Sequence, residues 1–427
     1  MKNMNAKKPA KVLSALLATL LFASSCAQAV PEDKPETPPA STGEIVYAPV
    51  ELPATGHEPT GLEADALLSD AVTGFSEKFY KLAMPSLGEN AVFSPLSLYY
   101  ALALTSNGAH GETAREFADA LGMDTAELNE YLYTLTNALS ATEETTVKIG
   151  NAVWGNAENF EINPDFVKIA ADYYRAHAES LAFDADALKK INGWVNEQTD
   201  GMIDALFDAL DPAQRMILVN TVLFDGIWAE EYEDADVMPG SFTTADGKTI
   251  RPDFLYSTEY SYFEVPGAKG FSKDYKDGYR FIGVRPDGDL AEFVSGMDLS
   301  AIIAGSAASD LKADCGIPKF EYESALGLNE ITEALGIRRA FTGSAELGGL
   351  SASGADDILI DSIFQKAKII LNEHGTKAAA ATAINFGTTA FMPEIRREVY
   401  LDKPFFYVIV NADGIPLFLG TVEDPTK

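Results

Sequence analysis

Only two cysteines occur in 427 residues, Cys26 and Cys315, and no Cys-x-x-Cys pair. That excludes a disulfide framework and a thiolate zinc site. Histidine is almost as scarce: His57, His110, His177 and His374 are scattered, with no His-Glu-x-x-His. No Gly-x-Ser-x-Gly elbow is present, Gly349-Leu350-Ser351-Ala352-Ser353 being the nearest miss, and there is no P-loop or Gly-x-Gly-x-x-Gly fingerprint. The reading is therefore not an enzyme, with no cofactor and no metal. Basic side chains are also in deficit, 32 against 64 acidic ones, for a formal net charge of −32. Such a field repels nucleic acid, polyanions and anionic lipid, so no nucleic-acid partner is expected.

What is present is length and apolar content, 427 residues at 47% hydrophobic, enough for one large soluble domain or two ordinary ones. Lys7, Lys8 and Lys11 precede an apolar run from Val12 to Ala23 that is short for a membrane span. Residues 1–26 thus read as an export signal. Its end, Ala23-Ser24-Ser25-Cys26, is similar to a bacterial lipoprotein box, although leucine usually stands where Ala23 does. Lipidation of Cys26 is the expectation, with ordinary cleavage near Ala27 or Ala29 as the alternative. The mature chain is then extracellular, a cell-surface lipoprotein or a secreted protein, touching membrane only through the anchor. Residues 27–61 carry seven prolines and read as a solvated tether.

The body begins with a helical pattern around Leu62–Met84. Ser94 can cap a helix whose first residue is Pro95 and which Gly108 ends; it is apolar on most sides and should be buried. Thr113-Ala114-Arg115-Glu116 reads as a capping box for a second helix ending near Gly122. Residues 146–155 read as a strand and Asp186–Met202 as a helix. Met216–Phe224 is a continuous apolar run, expected to be a central strand covered on both faces. Strand-like segments follow to about Arg285, with turns at Ala245-Asp246-Gly247 and Pro286-Asp287-Gly288. A helix over Leu328–Leu335 comes next. Ala367–Leu371 and Lys403–Val410 read as buried strands. Helices and strands alternate without a domain cut, so the fold class is α+β: one interleaved body of mixed β-sheets with surrounding helices.

Between those last two strands lie about 30 residues of small and mixed side chains, where loops beyond about 12–15 residues are usually functional or disordered. Five of the six residues 378–383 are alanine, which by propensity suits a surface helix. Read with period two, however, Thr376, Ala378, Ala380, Thr382, Ile384 and Phe386 share one face. Lys377, Ala379, Ala381, Ala383 and Asn385 share the other. The first set can be buried without stranding a charge. A loop that can become a central strand is a switch.

Glu373-x-Gly375-Thr376-x-Ala378-Ala379-Ala380-Ala381-Thr382 resembles the hinge of the reactive-centre loop of inhibitory serpins. The resemblance extends from about Leu62 to Pro425. It includes Phe93-Ser94-Pro95-x-Ser97, the Gly108-Ala109-x-Gly111-x-Thr113 run, Pro318-Lys319-Phe320, Leu335-Gly336-Ile337 and the closing Leu417-Phe418-Leu419-Gly420-Thr421. It implies a single serpin-like domain over 62–427 with an exposed loop at about 373–398. It also implies a hinge at Glu373, Gly375, Thr376, Ala378, Ala380 and Thr382, and a breach, where the hinge first enters the sheet, at Trp228. Ser94, Ser97 and Asn220 would form the shutter beneath the sheet. Gln365 stands where the family often has histidine. His374 and Lys377 should face solvent or the start of the loop.

By the same resemblance the protein is a monomeric suicide substrate for a serine protease. The protease serine attacks the loop and forms an acyl-enzyme. The cut loop then inserts as a strand and strands the enzyme in a covalent complex; serpin loop insertion is a known example of stored strain released. Counted from Glu373 as the family counts, the scissile bond is Thr389-Ala390, which suits an elastase-like target. The stretch from Gly375 to Pro404 is longer than usual, so Phe391 and Met392 remain alternative baits. A cut at Arg396-Arg397 would add seven residues, about 23 Å of slack at roughly 3.3 Å each. The alternative function is a serpin-fold binding module without inhibition. Small residues at every inward hinge position speak for the inhibitor.

Overall fold

The computed structural model describes residue 62 and residues 66–86, 90–307, 311–376 and 397–427, all within the compact unit Pro49–Lys427. The predicted export signal with Cys26, the predicted tether and most of the predicted loop lie outside the described residues.

The central sheet has six strands in the order Phe320–Gly327, Ser362–Leu371, Gly375–Thr376, Met216–Ile227, Thr146–Asn156 and His177–Leu181. A second six-stranded sheet runs from Asn90–Phe93 through Pro416–Val422, Phe405–Val410, Arg280–Pro286 and Ala268–Asp274 to Phe263–Val265. A third, of four strands, runs Arg397–Tyr400, Ala313–Pro318, Asp253–Glu259 and Val237–Pro239. Parallel and antiparallel pairings mix with helices throughout, which is the α+β class read from the sequence.

Met216–Ile227 is buried on both sides along most of its length, as its mainly apolar sequence leads one to expect. Met216, Leu218, Val222 and Phe224 enter the main core, while Ile217 and Val219 pack with Trp154 under the helix Ala185–Gln198. That helix stops short of the expected Met202, in a turn where Asp200 and Gly201 both have positive φ. Ser362–Leu371 is only half buried. Ile363, Gln365, Ala367, Ile369 and Leu371 point inward. Lys366 and Lys368 stay outside and pair with Glu323 and Glu321 of the neighbouring strand at 3.2 and 2.8 Å.

Pro95–Ser106 is a helix buried at every position, with Pro95 first and Ser94 as cap. The next helix, Gly111–Leu121, ends at left-handed Gly122 as expected but begins earlier than the Thr113 capping box requires. Its cap comes from far along the chain. The Glu346 carboxylate accepts the Glu112 and Thr113 amides at 2.7 and 3.0 Å, and Thr113 Oγ1 accepts the Glu346 amide at 3.0 Å. A local motif is thus overridden by a tertiary one that satisfies the same free amides.

Candidate functional site: the seam of the central sheet

Two neighbouring strands of the central sheet, 216–227 and 362–371, are paired in parallel at one end only, from Ser362 opposite Ile217 to Lys366 opposite Thr221. Toward the other end Gly375 and Thr376 lie between them, antiparallel to both. Thr376 faces Leu371 on one side and Gly226 on the other, and Gly375 faces Ile227. The chain reverses into this position through Asn372, whose Oδ1 accepts the His374 and Gly375 amides at 2.9 and 3.3 Å.

Only glycine fits at 375. Its φ is +154°, and a Cβ there would sit 2.0 Å from the Gly226 carbonyl oxygen. Gly375→Ala is expected to drive the hinge out of the sheet, at a cost of about 1–3 kcal/mol. The check is tryptophan emission, because Trp228 stands directly against the hinge; an unchanged spectrum would mean that the methyl is accommodated.

Several groups hold the hinge in place. The Thr376 hydroxyl, 3% exposed, lies 2.6 Å from that of Tyr275. The Tyr275 ring stacks flat on Trp228, with centroids 4.1 Å apart at an interplanar angle of 9°. Burial pushes the Tyr275 phenol well above its ordinary range, so it remains a neutral hydrogen-bonding group. Trp228 donates from Nε1 to the Asn372 carbonyl and from its amide to that of His374, both at 2.9 Å. The Tyr232 amide donates to the Glu373 carbonyl at 3.1 Å.

Charge pairs add to these contacts. His374 Nδ1 lies 2.8 Å from Glu231, so this histidine, expected to face solvent or the start of the loop, is half-buried and partnered. Lys319 Nζ is 2.6 Å from the Glu373 carboxylate. Burial works against the Glu373 charge, but the hydrogen bond from Lys319 outweighs it together with smaller charge effects and holds the carboxyl below its ordinary range. With the folded pKa depressed, this contribution is complete at neutral pH and is lost only as acid protonates the group.

Below the seam lies a buried polar cluster. Ser94 Oγ accepts the Ser97 amide at 3.2 Å. Gln365 bonds the Ser94 backbone twice: Oε1 accepts its amide at 3.0 Å and Nε2 donates to its carbonyl at 2.9 Å. Gln365 Nε2 also reaches Asn220 Oδ1 at 3.2 Å, and the Ser97 hydroxyl donates to the same oxygen. Asn220 Nδ2 donates to the Ser97 carbonyl at 2.7 Å and to Asn151 Oδ1 at 2.6 Å. Ser94, Ser97, Asn220 and Gln365 are fully buried. The cluster ties the helix beneath the sheet to three of its strands, across the seam.

The structure therefore brings Ser94, Ser97, Asn220 and Gln365 into one network, and Trp228, Glu373, Gly375 and Thr376 into another. Lys377, Ala378, Ala380, Thr382, Thr389 and Ala390 lie outside the described residues. Arg397 and Glu398, placed at the end of the loop by the sequence, are in the strand Arg397–Tyr400. There Arg397 stands opposite Ala313 and its guanidinium lies 5.5 Å from the centre of the Tyr262 ring. Sequence reasoning missed Asn151, Tyr275 and the pairing of Lys319 with Glu373. An asparagine inside the apolar 146–155 run was a usable signal for the first. Nothing in the residues around Tyr275 marked the second. Among the described residues no group of acids, histidines or cysteines is arranged to hold a metal.

A family model described as Serpin (serine protease inhibitor) matches residues 70–425. The chain belongs to the serpin family. An uncharacterized serpin-like protein of Thermococcus kodakarensis is 28% identical over 423 residues, covering 95% of this chain and 97% of the relative. Human alpha-1-antichymotrypsin is 29% identical over 384 residues, covering 86% and 90%. Among solved structures, the thermophilic serpin tengpin in its native state is 33% identical with a TM-score of 0.81, covering 87% of this chain and 97% of tengpin. Tengpin in the latent state is less similar, with a TM-score of 0.73 at 32% identity and coverage of 85% and 99%.

Proposed function

We propose that this protein is a suicide-substrate inhibitor of serine proteases, trapping the acyl-enzyme by drawing its cut loop into the seam. The observation that carries the reading is the wedge of Gly375 and Thr376 between strands that are still paired with each other lower down. Each step along the loop is one step back along 216–227. On insertion, continuing that register would set Ala378 between Phe224 and Ile369, and Thr382 between Asn220 and Gln365. It would set Ile384 between Leu218 and Ile363; the flanking residues of the two strands are all inward-facing. The small and apolar face of the loop thus matches the lining of the seam. Phe386, where the alternation ends, would stand opposite Met216, the first residue of its strand.

The reading extends to an exported, extracellular protein held by lipid at Cys26 or secreted. It acts as a monomer on an elastase-like protease at Thr389-Ala390. That Arg397 is already held in a sheet supports a bait upstream of it. The test is incubation with elastase-like, chymotrypsin-like and trypsin-like proteases, followed by sequencing of the released carboxy-terminal peptide. An SDS-stable adduct with the elastase-like enzyme and a peptide beginning at Ala390 are expected. A peptide beginning at Arg397 or Glu398 would refute the bond. Cleavage by every protease without an adduct would leave the non-inhibitory reading.

A further inference from the structure

At the end of the seam remote from Gly375, three contacts join its two sides just before the paired strands begin. The Asp361 carboxylate accepts the amides of Arg215 and Met216 from a single oxygen, at 2.6 and 3.1 Å. Gln214 Nε2 donates to Ser362 Oγ at 2.9 Å. The Arg215 guanidinium donates to the Asp357 carbonyl. Each flank is itself anchored to something that does not cross the seam. Asn156 of the 146–156 strand donates from Nδ2 to the Pro212 and Gln214 carbonyls at 2.9 and 3.0 Å and from its amide to Arg215 at 2.8 Å. Asn329 donates to the Asp361 carbonyl at 2.8 Å and accepts the Ile363 amide at 2.9 Å.

We infer that Gln214, Arg215 and Asp361, with Ser362 and the Asp357 carbonyl, form a latch that closes the far end of the seam and restrains the last step of loop insertion. The inference rests on the insertion reading above. In the register Ser362 opposite Ile217, Asp361 is level with Met216, so a strand reaching that level must pass between them. Strands lie about 4.8 Å apart, and a new one between two neighbours moves them to roughly 9.6 Å. No hydrogen bond from Asp361 to the Met216 amide survives that separation. The latch therefore stabilises the uncut protein alone. The two anchored flanks make it a stop that must be broken, since neither can follow the other.

The test compares thermal midpoints of the full chain before and after loop cleavage, for wild type and for Asp361→Ala. The uncut variant is expected to melt about 2–5 °C below uncut wild type, while the two cleaved forms agree within about 1 °C. Equal losses in both forms would show contacts that persist after insertion and overturn the latch. So would an unchanged uncut form. Should Asp361→Ala fail to fold, Gln214→Ala, which removes only the bond to Ser362, is read in the same way. If wild type gains no stability on cleavage, the insertion reading falls and the latch with it. If wild type gains while both variant forms fall together, the latch alone is lost.

Discussion

Thr376→Arg is expected to turn the proposed inhibitor into a plain substrate: the loop is cut, the acyl-enzyme is hydrolysed, and no covalent adduct appears on SDS gels. Thr376 is 3% exposed, hydrogen-bonded to a buried phenol and already wedged between the two strands, so an arginine there is expelled from the seam and must be forced back before the rest of the loop can follow. Burying an unpaired guanidinium there costs several kcal/mol. At about 1.4 kcal/mol per factor of ten, about 4 kcal/mol slows insertion roughly a thousandfold relative to deacylation. Thr376→Val is the control. It keeps the shape and loses one hydrogen bond, about 1–3 kcal/mol including the stranded Tyr275 hydroxyl, so trapping should survive with a lower yield. Wild-type adduct yield from Thr376→Arg would remove the strand-insertion reading.

The second large effect is on stability. Cleavage of the loop is expected to make the protein harder to melt, the reverse of what a nick does to an ordinary domain. The seam now pairs its two strands at one end only. A full inserted strand would bury Ile384 and Phe386 as well as complete the backbone ladder, and those two side chains alone contribute about 2–3 kcal/mol each. At about 2 °C per kcal/mol for a protein of this size, the midpoint should rise by roughly 10 °C or more. Calorimetry of the intact and nicked chains measures this. A midpoint that stays or falls on cleavage would mean that the uncut fold holds no excess free energy behind a kinetic barrier.

Much of the fold was legible because its periodicities are strong. The run at Met216–Phe224, apolar except for Asn220 and Thr221, reads as a strand covered on both sides, and the Ser94-Pro95 start of a helix apolar on most sides points to burial. The family resemblance named Ser94, Ser97, Asn220, Gln365 and Trp228, which period and propensity leave as ordinary core residues. What stayed hidden depends on long-range pairing. Tyr275 reaches Thr376 across 101 residues, and Glu346 caps a helix from 233 residues away. The Thr113 box failed for this reason: a carboxylate from elsewhere satisfied the amides that the local motif would have served. For His374 the sequence left solvent or the start of the loop, and its partner Glu231 was not named because it is likewise distant in sequence.

The strand Asn90–Phe93 has a consequence for how the molecule is made. It lies at the edge of its sheet, its ladder partner is the chain's last strand, Pro416–Val422, and Asn90 Oδ1 accepts the Glu423 and Asp424 amides at 2.9 and 3.1 Å. A nascent chain must therefore carry this early segment unpaired until Pro416–Val422 has been made. Such distant pairing makes for slow folding. Any break in synthesis before Pro416 would leave Asn90–Phe93 without its ladder neighbour and Asn90 Oδ1 without the two amides it accepts, so a distant late segment decides whether this early one can settle.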